Sequence, residues 1–232
     1  PLARPRLRPT AGAVVLWLGI YAPVLLVAIL MQLLLPQHTA EVSTGITGLI
    51  STVPLWLRFL IVAVSPAICE EAVYRGFILH HLGVLPPWAR VLLCGALFGV
   101  FHLDVTRFGS TALLGVALSW AAVCTGNLFY PALIHLCNNS VSVLATVALE
   151  MAAEAAPEAV ATGAEAAAAV TPATLGVYFL LCAPSPWLLW AGTALLQTGA
   201  PRRPGRAKRA CLCLVLTLAL LAAGFALILS QG

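Results

Sequence analysis

Glu70, Glu71 and Arg75 stand as E-E-A-V-Y-R inside a stretch otherwise apolar enough to lie in a bilayer. Ionised side chains at bilayer depth are costly, and those kept there mark sites, relays or ion pathways. Two later apolar stretches each carry their own polar group: His102 in F-G-V-F-H, and His135 with Asn138 and Asn139 in H-L-C-N-N. A carboxylate without a local cation is suited to activate a water, and an imidazole or carboxamide to donate to a developing oxyanion. The same types offer a second chemistry, in which Glu70, His102 and His135 hold a divalent metal such as zinc with one position open. Residue types alone do not separate the two.

Spacing assigns partners. Glu71 and Arg75 are at i and i+4 and share a helix face, so the guanidinium neutralises Glu71, or the two form a purely stabilising ion pair. Glu70 lies about 100° round the helix from Glu71 and is left without a local cation. His135 and Asn139 are likewise at i and i+4 on a later helix. Counted at about 1.5 Å per residue from the expected cytoplasmic ends, Glu70 lies about 15 Å deep, His102 about 18 Å, His135 about 10 Å and Asn139 about 16 Å. Three helices thus bring a carboxylate pair, two imidazoles and a carboxamide into one membrane layer.

The elements that must position these groups are membrane helices. Of 232 residues, 61% are hydrophobic and 9% charged, against roughly a quarter charged in soluble domains. The expectation is an all-α polytopic membrane protein, a bundle of about seven transmembrane helices around a polar intramembrane cavity. The spans are drawn at 14–35, 53–80, 90–103, 109–124, 128–149, 173–197 and 210–229. The chain 1–232 reads as one membrane domain, with a catalytic core at 53–149, an acidic alanine-rich loop at 150–170 and C-terminal helices over 173–232. The second span is too long for one perpendicular crossing, and Pro66, one turn before Glu70, is the expected kink. The third and fourth spans are short, which suggests a thinned, water-accessible region.

The net charge of +4 does not indicate nucleic acid, because the basic residues sit at span ends and form no aromatic-interleaved face. They set topology: a cytoplasmic N-terminus places all but Arg58 and Arg107 inside. The first apolar run reads as a retained span without a cleavage site. The seven cysteines have no disulfide or zinc-ribbon spacing; Cys69 and Cys137 adjoin the polar cluster and leave a thiol role open. Glu150, Glu154, Glu158 and Glu165 read as solvated charge on a surface helix or loop. The six tryptophans, mostly near span ends, read as an interfacial belt. No phosphate loop or dinucleotide turn is present.

The three motifs, in this order on successive helices, resemble those of the CPBP family, which includes the type II CAAX prenyl endopeptidases and bacterial bacteriocin-processing and self-immunity proteins. The family pattern, E-E-x-x-x-R, then F-x-x-x-H, then H-x-x-x-N or D, is met without mismatch between residues 70 and 139. The resemblance implies an intramembrane endopeptidase of glutamic rather than metallo type, needing no cofactor. In it Glu70 would activate the water, His102 would help hold it, His135 and Asn139 would stabilise the oxyanion, and Glu71 and Arg75 would orient the site. It also implies a membrane-anchored or lipidated protein or peptide as substrate, with the bilayer as the other partner. Composition leans towards a bacterial inner membrane. Two readings from other classes stand beside it: a proton- or cation-coupled transporter using Glu70, His102 and His135 as a relay, and a non-catalytic immunity or scaffold protein.

Overall fold

The computed structural model describes residues 3–38, 52–158, 160, 170–197 and 205–230. Among them every regular element is helical. Helix α1 spans Leu7–Leu34. A composite segment follows, made of α2 (Leu55–Arg58), a π-helical stretch (Phe59–Val64), α3 (Ser65–Glu71), a second π-helical stretch (Ala72–Ile78), α4 (Leu79–His81) and a closing 3-10 turn (Leu82–Val84). Then come α5 (Pro87–Phe101), α6 (Val105–Thr125), α7 (Phe129–Ala155), α8 (Pro172–Cys182), α9 (Ser185–Leu196) and α10 (Arg206–Leu229). Five segments are long and apolar enough to cross a membrane: α1, α6, α7, the α8 and α9 pair, and α10. The protein is an all-α integral membrane protein, and the count of seven crossings is not established by this measure.

Several expectations change. The fourth span is not short, since α6 has 21 residues; Asp104 caps it, taking hydrogen bonds from the N–H and hydroxyl of Thr106 at 2.8 Å. The fifth runs on to Ala155, so Glu150 and Glu154 belong to a helix and not to a loop. Nor is Glu150 simply solvated, because Arg58 grips both its oxygens at 2.9 and 2.6 Å, tying the start of the composite segment to the far end of α7. Glu165 lies outside the described residues. The sixth span is two helices, broken at Ala183 and Pro184; Pro184 and Pro186 cannot supply N–H groups to continue the ladder. Trp120 leaves the belt and donates to Thr193 Oγ1 at 3.1 Å.

Glycine sets how closely the helices approach. A Cβ on Gly115 would lie 3.0 Å from the Gly95 Cα, and one on Gly192 would lie 2.6 Å from the Leu16 backbone nitrogen. These contacts join α5 to α6 and α9 to α1, the small-residue packing that replaces hydrophobic driving force between helices in lipid. The N-terminal arm fastens one end of the bundle. Asn127 Nδ2 donates to the Ala3 carbonyl at 2.9 Å and the Arg6 N–H to the Tyr130 hydroxyl at 3.0 Å. Arg4, Arg6, Arg8 and Arg90 therefore cluster at the end carrying the α6–α7 turn, and the Arg58–Glu150 pair sits at the other.

Candidate active site

The two π-helical stretches flank the glutamates on either side, a frequent mark of functional sites. Pro66 starts the process. It has no N–H to give the Val62 carbonyl four residues back, and Asn139 Nδ2 of α7 donates there at 2.9 Å. The expected kink is thus a joint between the composite segment and α7. Asn139 Oδ1 accepts from Asn138 Nδ2 at 3.3 Å, so both ends of the Asn139 carboxamide are engaged.

Glu71 is 1% exposed and Arg75 4%, and they pair at 2.9 Å as their spacing predicts. Arg75 makes two further bonds, from Nη2 to the Gly115 carbonyl at 2.8 Å and from Nε to Ser119 Oγ at 3.3 Å. Glycine at 115 allows α5 to close on α6 and leaves that carbonyl open to the guanidinium. Guanidinium, carboxylate, carbonyl and hydroxyl are joined in a buried network, which is where such groups are most strongly fixed.

His135 joins this network from α7. Its Nδ1 lies 2.8 Å from Glu71 Oε1, and its Nε2 faces Glu70 Oε2 at 3.9 Å. Because a carboxylate oxygen only accepts, Nδ1 donates to Glu71 Oε1, and Nε2 is the nitrogen turned to Glu70. The Glu70 side chain is 24% exposed, in contrast with buried Glu71. The second oxygen of Glu71, Oε2, is buried and has no hydrogen-bond partner.

His102 caps α5. Its Nδ1 is 2.9 Å from the Phe98 carbonyl; the carbonyl can only accept, so Nδ1 carries the proton and Nε2 is free to accept. The structure thus gathers Glu70, Glu71, Arg75 and His135 directly, and brings His102 to them through Phe98. That phenylalanine is 1% exposed. Its ring centroid is 5.1 Å from His102, 5.7 Å from His135 and 4.6 Å from Arg75 Cζ, edge-on to both imidazoles and beneath the cation. The candidate residues missed it, although it supplies the first letter of F-x-x-x-H. Ser119 and Gly115 were missed too, and no spacing signal pointed to them.

Among the described residues no three His, Cys, Asp or Glu side chains come together as a metal-holding group. Cys69 is exposed, with its sulfur 4.0 Å from Ser65 Oγ, and Cys137 is half-buried.

The helical bundle thus buries a network of carboxylate, imidazole and guanidinium and leaves a second carboxylate partly open beside it. Residues 52–141 match the family model for the type II CAAX prenyl endopeptidase Rce1-like proteins, a likeness that spans the segment holding every residue of the cluster. No curated protein and no solved structure matches the chain.

Proposed function

We propose that this protein hydrolyses a peptide bond of a prenylated or membrane-anchored substrate by water attack, with Glu70 as the general base. The observation that carries this reading is the unequal treatment of the two glutamates: Glu71 is buried between Arg75 and His135, whereas Glu70 is 24% exposed beside His135 Nε2. The buried carboxylate is occupied with orientation, and the open one can take a proton.

The hydrogen bonds of His102 and His135 support the following steps. Water donates one proton to Glu70 and is oriented by the free Nε2 of His102. The new C–O bond forms at the scissile carbonyl and leaves an oxyanion. His135 donates to that oxyanion from Nε2; with its imidazole protonated, the charges of Glu70, Glu71, Arg75 and His135 cancel. The proton held by Glu70 then passes to the departing amine. General-base assistance contributes about 10²–10⁴ in rate, and a preorganised oxyanion donor a further 10²–10³ or so. Asn139 acts by holding the composite segment at Val62 and thereby fixing the depth of Glu70. The working core is residues 53–149, and the N-terminus lies on the cytoplasmic side with the arginine-rich end of the bundle.

The test is cleavage of a farnesylated C-terminal tetrapeptide substrate by purified protein in detergent, beside the unprenylated peptide and a single-span anchored peptide, with and without chelator. Release of the last three residues from the prenylated substrate, unaffected by chelator, is the expected result. Cleavage abolished by chelator and restored by a divalent ion would overturn the metal-free mechanism.

A further inference from the structure

We infer that the bundle carries a phosphate-binding cavity at its arginine-rich end, of a kind that takes the headgroup of an anionic phospholipid. A cavity of about 390 Å³ opens between the end of the composite segment, the start of α5 and the α6–α7 turn, lined by His80, Arg90, Ala122, Gly126, Asn127 and others. No acidic side chain lines it. Arg75 reaches its wall, but that charge is already matched by Glu71. Arg90 is different: among the described residues it has no carboxylate partner, and its Nε is buried without a hydrogen-bond acceptor. A buried guanidinium N–H left unpaired costs about 1–3 kcal/mol or more, and an anion seated in the cavity would supply its acceptor.

The surroundings say which acceptor fits. A second cavity of about 370 Å³ shares Gly126 and Asn127 with the first and is lined by Arg4 and Arg6, again with no acidic residue. Around the α6–α7 turn the chain thus presents Arg4, Arg6 and Arg90, with no acidic side chain lining either cavity. The exposed Trp88 indole, two residues before Arg90, is 67% accessible, as expected of a ring at headgroup level. Guanidinium matches phosphate by paired N–H donors, and basic pockets between membrane helices on the positive side are suited to lipid phosphate. The cavity lies outside the catalytic cluster, touching it only through the back of Arg75.

The experiment is native mass spectrometry of the full purified chain in detergent, titrated separately with phosphatidylglycerol, phosphatidylcholine and inorganic phosphate. The wild type, Arg90→Gln and Arg90→Lys are compared, with melting curves taken alongside to confirm that each is folded. Phosphatidylglycerol should bind more tightly than phosphatidylcholine. Arg90→Gln should weaken it by about fivefold or more, the scale of one basic residue at a membrane surface, and Arg90→Lys should retain most of it. Competition by inorganic phosphate at millimolar concentration would support the phosphate site with a soluble ligand as its source. Equal binding of the two lipids, or a folded Arg90→Gln that binds phosphatidylglycerol as the wild type does, would overturn the proposal. Because the readout is binding, it stands or falls independently of peptidase activity.

Discussion

Replacing Arg75 by methionine keeps the length of the side chain and removes the charge that holds Glu71. The guanidinium makes bonds of 2.9, 2.8 and 3.3 Å to Glu71, the Gly115 carbonyl and Ser119, and its side chain is 0% exposed. Solvent therefore cannot take over for any of them. Breaking a buried pair by removing one partner costs about 3–5 kcal/mol, because the other charge is left uncompensated. For a chain of this size each kcal/mol moves the midpoint by about 2–4 °C, giving a fall of roughly 6–20 °C for Arg75→Met. Tryptophan fluorescence during heating in detergent reads this out. The paired variant Glu71→Gln, Arg75→Met removes the stranded carboxylate as well and should recover part of the loss, with a coupling of about 1–3 kcal/mol between the two positions. Melting of Arg75→Met within a degree or two of wild type, or strictly additive losses in the double variant, would refute a buried network centred on this guanidinium.

Phe98→Leu removes the ring shared by both imidazoles and Arg75; a loss of about 1–2 kcal/mol in melting stability is expected from the cation–π contact, with kcat falling more than KM. Gly115→Ala would force a methyl within 3.0 Å of Gly95 Cα and should cost about 1–3 kcal/mol as overpacking. Gly83→Ala, where nothing lies within 4 Å, should be close to neutral in the same thermal scan. Asp104→Ala should lower stability at neutral pH by about 1 kcal/mol through the lost helix cap. Partial burial would raise the Asp104 pKa, but the Thr106 hydrogen bonds and the nearby Arg107 charge bring it below the ordinary 3.8. Its contribution is therefore complete above about pH 4 and fades as pH falls through the lowered value, so wild type and Asp104→Ala should converge in acid.

Much of the site could be read from spacing because helical geometry is local. Glu71 and Arg75 pair as i and i+4 neighbours should, and counting rises along each span places Glu70 and His135 at a common level. The helices themselves follow from apolar length, and each of the five segments long enough to cross overlaps an expected span. Hydropathy is blind to what lies inside a span. It gives no sign of the π-helical stretches, since the i to i+5 pattern changes the bonding and not the composition. It also passed over Pro184 and Pro186, which break the sixth span. Partners fixed by tertiary packing were the least legible: Ser119 and the Gly115 carbonyl are one hydroxyl and one backbone oxygen among apolar neighbours, selected only when α5 and α6 close on each other. Glu150 likewise reads as one charge in an acidic run until Arg58, 92 residues away, is folded against it.

The account rests on Glu70 as the group that takes the proton from water, and Glu70→Gln tests it most directly. The substitution keeps shape and hydrogen bonding at a partly open position while removing the basic carboxylate. Cleavage of the prenylated peptide by Glu70→Gln should fall by about 10²–10⁴ with its melting midpoint essentially unchanged. A folded Glu70→Gln that cleaves at the wild-type rate would contradict it.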